Sequence, residues 1–208
     1  MSLNLASTYE ELFNDVLVPI SFLLQKHLAK VLEGVPRIDA VAARAKSPER
    51  FISKALKQDD EFNLKYSDPL SQIQDQVGAR ITVLYLSDII AVKQIIDKYF
   101  HAIEWQSKQP ERDAEFGYTG DHYILGIPDD AIPEGLEDRS PSFFELQIKT
   151  LYQHAWSEAS HDIGYKAPRA LSALEKRQMA FSAAQSWGAD QIFKTLAESV
   201  TGPPSNDI

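Results

Sequence analysis

The pattern of apolar and polar residues divides the chain into helical ends and a strand-rich middle. Residues 8–33 place apolar side chains at helical spacing, and Pro19 is expected to kink or split this segment because proline removes a helical hydrogen bond. A second helical pattern covers about residues 171–199, and we expect Gly188 to interrupt it. The order is therefore helices, then strands mixed with helices, then helices.

Five segments of the middle region have the character of strands, and the stretch ARITVLYL is the clearest because it is rich in β-branched and aromatic residues. The predicted strands are residues 37–45, 79–86, 101–106, 121–127 and 142–149. This order predicts an α+β fold, a mixed five-stranded sheet flanked by N- and C-terminal helices. We divide the chain into an N-terminal helical segment, a core and a C-terminal helical segment, which are residues 1–36, 37–167 and 168–208.

The composition excludes several classes of protein. The 208 residues include no cysteine, which rules out a disulfide scaffold, a zinc–thiolate site and a cysteine nucleophile. The start of the sequence has no signal-peptide pattern and no apolar run is long enough to span a bilayer, so we expect a cytoplasmic protein without a membrane partner. The net charge of −9 argues against broad binding to duplex nucleic acid, although it allows a small basic pocket for a nucleotide.

The predicted strand SFFELQIK carries three polar residues on one face. Glu145, Gln147 and Lys149 alternate with apolar neighbours, so all three point to the same side of the sheet. An edge strand with a solvated face would explain this pattern. A carboxylate that a rigid strand aims into a cleft would explain it as well.

The stretch QDQVGAR places a second carboxylate beside a strand. Asp75 precedes the clearest strand, Gly78 permits a tight turn of the backbone, and Arg80 projects from the start of the strand. Taken singly, Asp75 and Arg80 are equally consistent with a turn aspartate and a surface arginine.

A cluster of basic residues surrounds a predicted helix start. Arg44 and Lys46 lead into Ser47-Pro48, which is typical of an N-cap followed by proline at the first helical position. The helix runs to about residue 57, with basic residues on one face, and its free amide groups favour phosphate. A solvated basic face is the alternative, but the clustering is unusual in an acidic chain.

Two further patterns combine aromatic, histidine and acidic side chains. The segment EFGYTGDHY places Tyr118 and His122 around two glycines, which fits a platform for stacking a base as well as a simple loop anchor. The later helix places His154, Glu158 and His161 on one face. Only half of a di-iron carboxylate motif is present there, so we do not assign a metal to this helix.

Taken together, these segments resemble the synthetase domain of the RelA/SpoT family, the alarmone synthetases. The resemblance runs from about Arg44 to Lys166 and rests on four motifs in family order. They are RAKSPERFISK, DQVGAR, GYTGDHY, and FELQIKT followed by HAW, HD and YK. The chain is thus similar to small, single-domain members of the family, whose fold is related to that of nucleotidyltransferases.

The resemblance implies a reaction and a role for each matching residue. The reaction is attack of an acceptor 3′-hydroxyl on the β-phosphorus of ATP, with AMP as the leaving group. Asp75 and Glu145 match the ligands of Mg²⁺, which suits phosphate chemistry. Arg44 and Arg80 match the arginines that sandwich adenine, and Lys46 and Lys54 match contacts to the ATP phosphates. The remaining matches are Tyr118 for stacking of the acceptor base, His122 near the transferred phosphates, and Gln147, Lys149, His154 and His161 in or around the cleft.

Departures from the family pattern concern the acceptor more than the donor. Ala114 and Thr119 occupy positions that help to hold the acceptor's 5′-phosphates in the family, and Lys108 and Arg112 are candidates to compensate. GDP or GTP is the first expectation for the acceptor. The alternatives are the 3′ end of tRNA, an adenosine nucleotide, and a nucleotide-sensing protein without activity. A homo-oligomer is a further expectation from the resemblance.

Overall fold

The computed structural model describes residues 2–107, 116–118, 120–165 and 169–201. Its helices are α1 (Ser2–Leu12), α2 (Val18–Val31), α3 (Pro48–Ala55), α4 (Pro69–Gln72), α5 (Leu86–Tyr99), α6 (Leu151–Tyr165) and α7 (Ala173–Thr201). Its strands are β1 (Ile38–Ala45), β2 (Val77–Val83), β3 (Ala102–Ser107), β4 (Asp121–Gly126) and β5 (Phe143–Thr150). The predicted α+β fold with five strands is confirmed.

The N-terminal helices form one nearly continuous rod that starts earlier than the sequence pattern indicated. A single π-helical turn, Phe13–Leu17, joins α1 to α2, and Pro19 lies in the first turn of α2. Because proline has no amide hydrogen, a change of hydrogen-bond spacing just before it is the expected accommodation. Pro19 therefore marks a change of helix type, and the chain continues without a break.

The strands form one sheet in the order β1-β2-β5-β4-β3. Strands β2 and β5 pair in parallel, and the other neighbouring pairs are antiparallel. A parallel pair needs a long crossover connection, which here contains α5, β3 and β4. The parallel pair lies in the middle of the sheet and places the two motifs DQVGAR and FELQIKT side by side.

One face of the sheet is packed into the core and the other carries the polar residues. Phe144, Leu146 and Ile148 of β5 are fully buried and belong to one cluster with apolar residues of α2 and α5. Glu145 and Gln147 alternate with them and are only partly buried. The alternation predicted for this strand is thus present. Glu145 and Gln147 face a cleft, whereas Lys149, predicted on the same side, is buried.

The C-terminal helix α7 packs against α6, and the expected interruption at Gly188 does not occur because the helix runs unbroken through this residue. Trp156 of α6 is half-buried. Its indole Nε1 donates to the hydroxyl of Ser182 on α7 at 3.2 Å. Among the residues that the model describes, no helix is long and apolar enough to cross a membrane.

Candidate active site

Three neighbouring strands bring the predicted donor residues to one cavity. In the register of the sheet, Arg44 of β1 lies opposite Gly78 of β2, and Gly78 lies opposite Glu145 of β5. Arg80 lies two residues after Gly78 on the same face of β2, opposite Gln147 of β5. The cavity between these strands measures about 300 Å³. Its charged lining residues are Arg44, Lys46, Arg50, Asp75, Arg80, Glu145 and Glu158.

Asp75 holds two lysines at one side of this cavity. It lies in a short 3₁₀ turn just before β2, and its Oδ2 atom is 2.8 Å from Nζ of Lys46. Its Oδ1 atom is 3.0 Å from Nζ of Lys54. The three side chains are between 18% and 30% exposed, so water screens these charges only in part. Two cations and a carboxylate thus stand together at this cavity, a group of charges that could bind an anionic ligand.

The helix that carries Lys54 begins as the sequence predicted. Ser47 has extended backbone angles, its hydroxyl accepts from the amide of Arg50, and Pro48 is the first helical residue. Phe51 and Ala55 are buried, which leaves the basic face turned towards the cleft. Local sequence therefore fixes the direction of α3, and its apolar face fixes how it docks.

The N-terminal helix contributes a contact that the sequence analysis missed. The hydroxyl of Tyr9 donates to the backbone oxygen of Lys46 at 3.0 Å, and the Tyr9 ring stacks on Phe51 at 3.6 Å. Burial, helped by the negative charge of Asp75, raises the pKa of Tyr9, so the hydroxyl remains a donor. No local signal distinguishes Tyr9 from the other members of its apolar stripe.

Arg80 is partly withdrawn from water beside acidic and basic neighbours. One of its terminal nitrogens lies 3.5 Å from Glu158 on α6. Burial lowers the pKa of Arg80, and the charge of Arg44 acts in the same direction. Burial also lowers the pKa of His154, with Arg80 adding to the effect, which favours the neutral imidazole. Glu158 thus has a place in the cavity wall that the sequence analysis did not assign to it.

Glu145 lies between the main cavity and a second cleft. Its Oε1 atom is 2.8 Å from Nδ1 of His122. Its Oε2 atom accepts a hydrogen bond from the side-chain amide of Gln147 at 3.2 Å. The second cleft measures about 140 Å³ and is lined by Gln74, Glu104, Gln106, His122, Tyr123, Ile124 and Glu145. Glu104 and Gln106 alternate with Trp105 along β3, a signal that could have placed them on the polar face.

The predicted acceptor residues are not assembled around one cavity. Gln147 lines the main cavity and His154 lies close to Arg80, whereas Tyr118 is only 8% exposed and contacts α7. The Tyr118 hydroxyl donates to Asp190 at 2.5 Å. Lys108, Arg112, Ala114, Thr119 and Lys166 lie outside the described residues.

The carboxylates that line the cavity suit a magnesium ion that takes its other ligands from phosphate and water. Asp75 and Glu145 line the same cavity, and no group of three or more metal-ligating side chains stands together among the described residues. Mg²⁺ commonly takes one or two carboxylates and completes its shell with water and phosphate oxygens. Two carboxylates at one cavity therefore suit an ion that arrives with a nucleotide better than a permanent protein-held metal.

Comparison with known proteins agrees with the motifs. The family model described as the region found in RelA / SpoT proteins matches residues 43–170, more than half of the chain. By sequence, no curated protein matches. A structure of a GTP pyrophosphokinase family protein from Streptococcus pneumoniae is similar, with a TM-score of 0.73 and 19% identity over 93% of this chain and 94% of that chain.

Two structures of small alarmone synthetase 1 from Bacillus subtilis have the same fold. The one bound to its product pppGpp has a TM-score of 0.70 and 21% identity, over 89% of this chain and 96% of that chain. The one bound to AMPCPP has a TM-score of 0.64 and 18% identity, over 88% and 94%. The chain therefore belongs to the RelA/SpoT family, as its motifs predicted, and shares its fold with small alarmone synthetases.

Proposed function

We propose that the chain is an ATP-dependent pyrophosphokinase that makes guanosine tetra- or pentaphosphate from GDP or GTP. Membership of the RelA/SpoT family supports the pyrophosphokinase activity. The observation that carries the proposal is the group formed by Lys46, Lys54 and Asp75, which lies at one cavity with Glu145. The related structures that hold pppGpp and AMPCPP support a guanosine product and an ATP donor for this chain as well.

The ATP site in this proposal uses the arginines for the base and the lysines for the phosphates. Arg44 and Arg80 line the same cavity, and their planar guanidinium groups can stack on both faces of adenine. Lys46 and Lys54 already surround Asp75 with positive charge. When ATP binds, we expect both ammonium groups to turn to the triphosphate oxygens, which leaves Asp75 for the metal.

Asp75 and Glu145 are the proposed ligands of Mg²⁺. When bound, the ion would screen the charge of the triphosphate and polarise the phosphoryl oxygens. The protein supplies the rigid frame, because Glu145 projects from a central strand and His122 and Gln147 hold its two oxygens. A carboxylate that is fixed in this way needs little reorganisation during the reaction.

The proposed reaction is an in-line displacement at phosphorus. The acceptor 3′-oxygen forms a bond to the β-phosphorus, the bond from this phosphorus to the oxygen bridging to the α-phosphorus breaks, and AMP leaves with that oxygen. The proton of the 3′-hydroxyl passes to a carboxylate, for which Asp75 is the candidate. Lys46, Lys54 and Arg80 stabilise the negative charge of the transferred group.

The acceptor side of the proposal assigns Gln147 and His154 to the cleft and Tyr118 to the base, a role for which the buried Tyr118 ring has to turn away from α7 when the acceptor binds. Gln147 is next to Glu145 on the same face of β5, and His154 is close to Arg80. His122 is held by Glu145 at the second cleft, which fits a place beside the transferred phosphates. These assignments put the 3′-hydroxyl close to the carboxylates and the base further along β5.

The direct test is transfer of label from γ-labelled ATP in the presence of Mg²⁺. The purified protein is incubated with GDP, GTP, ATP or deacylated tRNA as the acceptor, and the products and released AMP are separated by chromatography. We expect labelled guanosine tetra- and pentaphosphate with an equal amount of AMP. Label on tRNA or on adenosine nucleotides alone would contradict the proposed acceptor, and bound ATP without transfer would indicate a nucleotide-sensing protein.

A further inference from the structure

The main cavity contains a third carboxylate, which has neither of the roles proposed for the other two. Asp75 is paired with two lysines, and Glu145 is held by His122 and Gln147. Glu158 lines the same cavity, and its side chain is 55% exposed. It is therefore accessible to a ligand that enters the cavity.

The fold directs Glu158 towards the donor arginines. Strand β5 leads directly into α6, and α6 contacts both β5 and β2. His154 and Glu158 are one helical turn apart and so share a face of α6. This face is turned towards Arg80 of β2, whose terminal nitrogen lies 3.5 Å from Oε1 of Glu158.

The contacts of Glu158 are too long for a tight structural anchor. Its Oε1 atom is 3.5 Å from Arg80 and 3.9 Å from Nδ1 of His154, whereas Glu175 holds Arg169 at 2.7 Å. The buried Nε atom of Arg80 has no hydrogen-bond partner among the described residues, so Glu158 does not satisfy this guanidinium group. An ionised carboxylate accepts several hydrogen bonds, which leaves Glu158 with capacity for a donor group on a ligand.

The proposed ATP site needs a contact of this kind to distinguish one purine from another. The guanidinium groups of Arg44 and Arg80 would cover the two faces of the base, and stacking is tolerant of base identity because every base has a π-face. Selection therefore depends on the edge of the ring. Because Glu158 contacts one of the two stacking groups, it places a hydrogen-bond acceptor beside the rim of a base that is held between them.

We propose that Glu158 accepts a hydrogen bond from the 6-amino group of adenine and so selects a 6-aminopurine nucleotide as the pyrophosphate donor. The proposal rests on the proposed function, in which this cavity binds ATP. Guanine also carries N–H groups on its edge, so a comparison of ATP with GTP does not isolate the contact. Purine riboside triphosphate does isolate it, because it differs from ATP only in lacking the 6-amino group.

The test is a cycle of two donors and three proteins, with GDP as the acceptor and Mg²⁺ present. Wild type, Glu158→Ala and Glu158→Gln are each assayed for kcat/KM with ATP and with purine riboside triphosphate. Both donors give the same guanosine product, so one assay serves all six measurements. The ratio of the two kcat/KM values reports the 6-amino contact, because any effect on the phosphates, the metal or stacking is common to both donors.

We expect wild type to prefer ATP by about tenfold, the scale of a hydrogen bond to a charged group. Glu158→Ala should lower kcat/KM for ATP and leave it nearly unchanged for purine riboside triphosphate, which brings the ratio below about threefold. Glu158→Gln should give an intermediate ratio, because its amide oxygen still accepts a hydrogen bond but carries no charge. Glu175→Gln is the matched control, since it neutralises a carboxylate that pairs with an arginine outside the cavity, and it should keep the wild-type ratio.

Binding of the two nucleotides without an acceptor supplies a readout besides activity. Isothermal titration calorimetry with Mg²⁺ gives the dissociation constants, and their ratio should change in the variants in the same way as the kinetic ratio. A wild-type protein that binds ATP but transfers nothing contradicts the proposed function, and the dissociation constants then still test Glu158. A wild-type protein that does not bind ATP contradicts both.

Two results would overturn the role of Glu158 while leaving the proposed function in place. One is a wild-type ratio close to one, which would mean that the 6-amino group is not recognised. The other is a wild-type ratio that persists in Glu158→Ala. An equal loss with both donors belongs to this second case and would show that Glu158 acts only through Arg80.

Discussion

The Nδ1 atom of His122 lies 2.8 Å from the Oε1 atom of Glu145, across the antiparallel pair of β4 and β5. The two side chains are mostly buried, and both line the second cleft, while Glu145 also lines the main cavity. Glu145 therefore has a fixed orientation at the boundary between the main cavity and the second cleft.

Replacing Glu145 by glutamine should abolish transfer and leave the fold intact. The amide keeps the size of the side chain but loses the charge that the metal and His122 face, so we expect a fall in kcat of at least about 100-fold. Transfer of label from ATP measures the loss, and circular dichroism checks the fold. Glu33→Gln, an exposed position on the N-terminal side, is the control. Near-normal activity in Glu145→Gln would exclude it as a metal ligand.

Replacing Arg80 by lysine should weaken ATP binding although the charge is kept. An ammonium group lacks the planar surface that stacks on adenine, so the ATP KM should rise by about tenfold and the acceptor KM much less. Arg44→Lys should have a similar effect. Arg139→Lys, at a half-exposed position away from the cavity, is the control. An unchanged ATP KM in both cavity variants would mean that the arginines do not sandwich the base.

Replacing Tyr9 by phenylalanine tests the part of the N-terminal helix in the donor site. The variant keeps the ring on Phe51 but leaves the backbone oxygen of Lys46 without this donor. We expect the free energy of unfolding to fall by about 0.5–1.5 kcal/mol and the ATP KM to rise several-fold. Urea unfolding and initial rates measure the two effects. Tyr99→Phe, at an exposed tyrosine, should change neither, and equal behaviour of the two variants would refute the role of Tyr9.

The stability of the protein should depend on pH through Asp190. Burial raises the pKa of this carboxyl in the folded protein above the value of about 4 expected for an unfolded chain. The folded state then binds the proton more tightly, so the stabilisation from protonation is complete below pH 4 and is lost as the pH rises through the folded pKa.

Asp190→Asn removes this titration. Its free energy of unfolding, relative to wild type, should therefore increase from about pH 4 upwards and become constant once the folded pKa has been passed. Urea unfolding at a series of pH values measures the difference. Parallel curves for the two proteins would show that Asp190 has the same pKa folded and unfolded.

The outer face of α7 predicts self-association. Leu174, Phe181, Ile192 and Leu196 fall on one stripe of the helix at helical spacing, and each is at least half exposed. The opposite face contains the buried Ala183 and packs against the domain. Light scattering should give a mass above 23.4 kDa, and Phe181→Ser should lower it, whereas Ile90→Ser on α5 should not. A mass of one chain at all concentrations would contradict the prediction.

The sequence determined the local elements and the types of residue at the site. Alternation placed Glu145 and Gln147 on one face of β5, and Ser47-Pro48 placed the start of α3, because both patterns depend only on the neighbours along the chain. The motifs also determined the family. The long N-terminal helix was expected, but its π-helical turn was not, and Gly188 does not end α7.

Only the tertiary structure decided which of these residues meet. The pairing of β2 with β5 brings Gly78 opposite Glu145, and the docking of α1 brings Tyr9 to Lys46. Asp190 reaches Tyr118 from 72 residues away, so an aromatic residue on a glycine-flanked segment is buried instead of open. Such contacts depend on strand order and helix packing, which local periodicity does not encode.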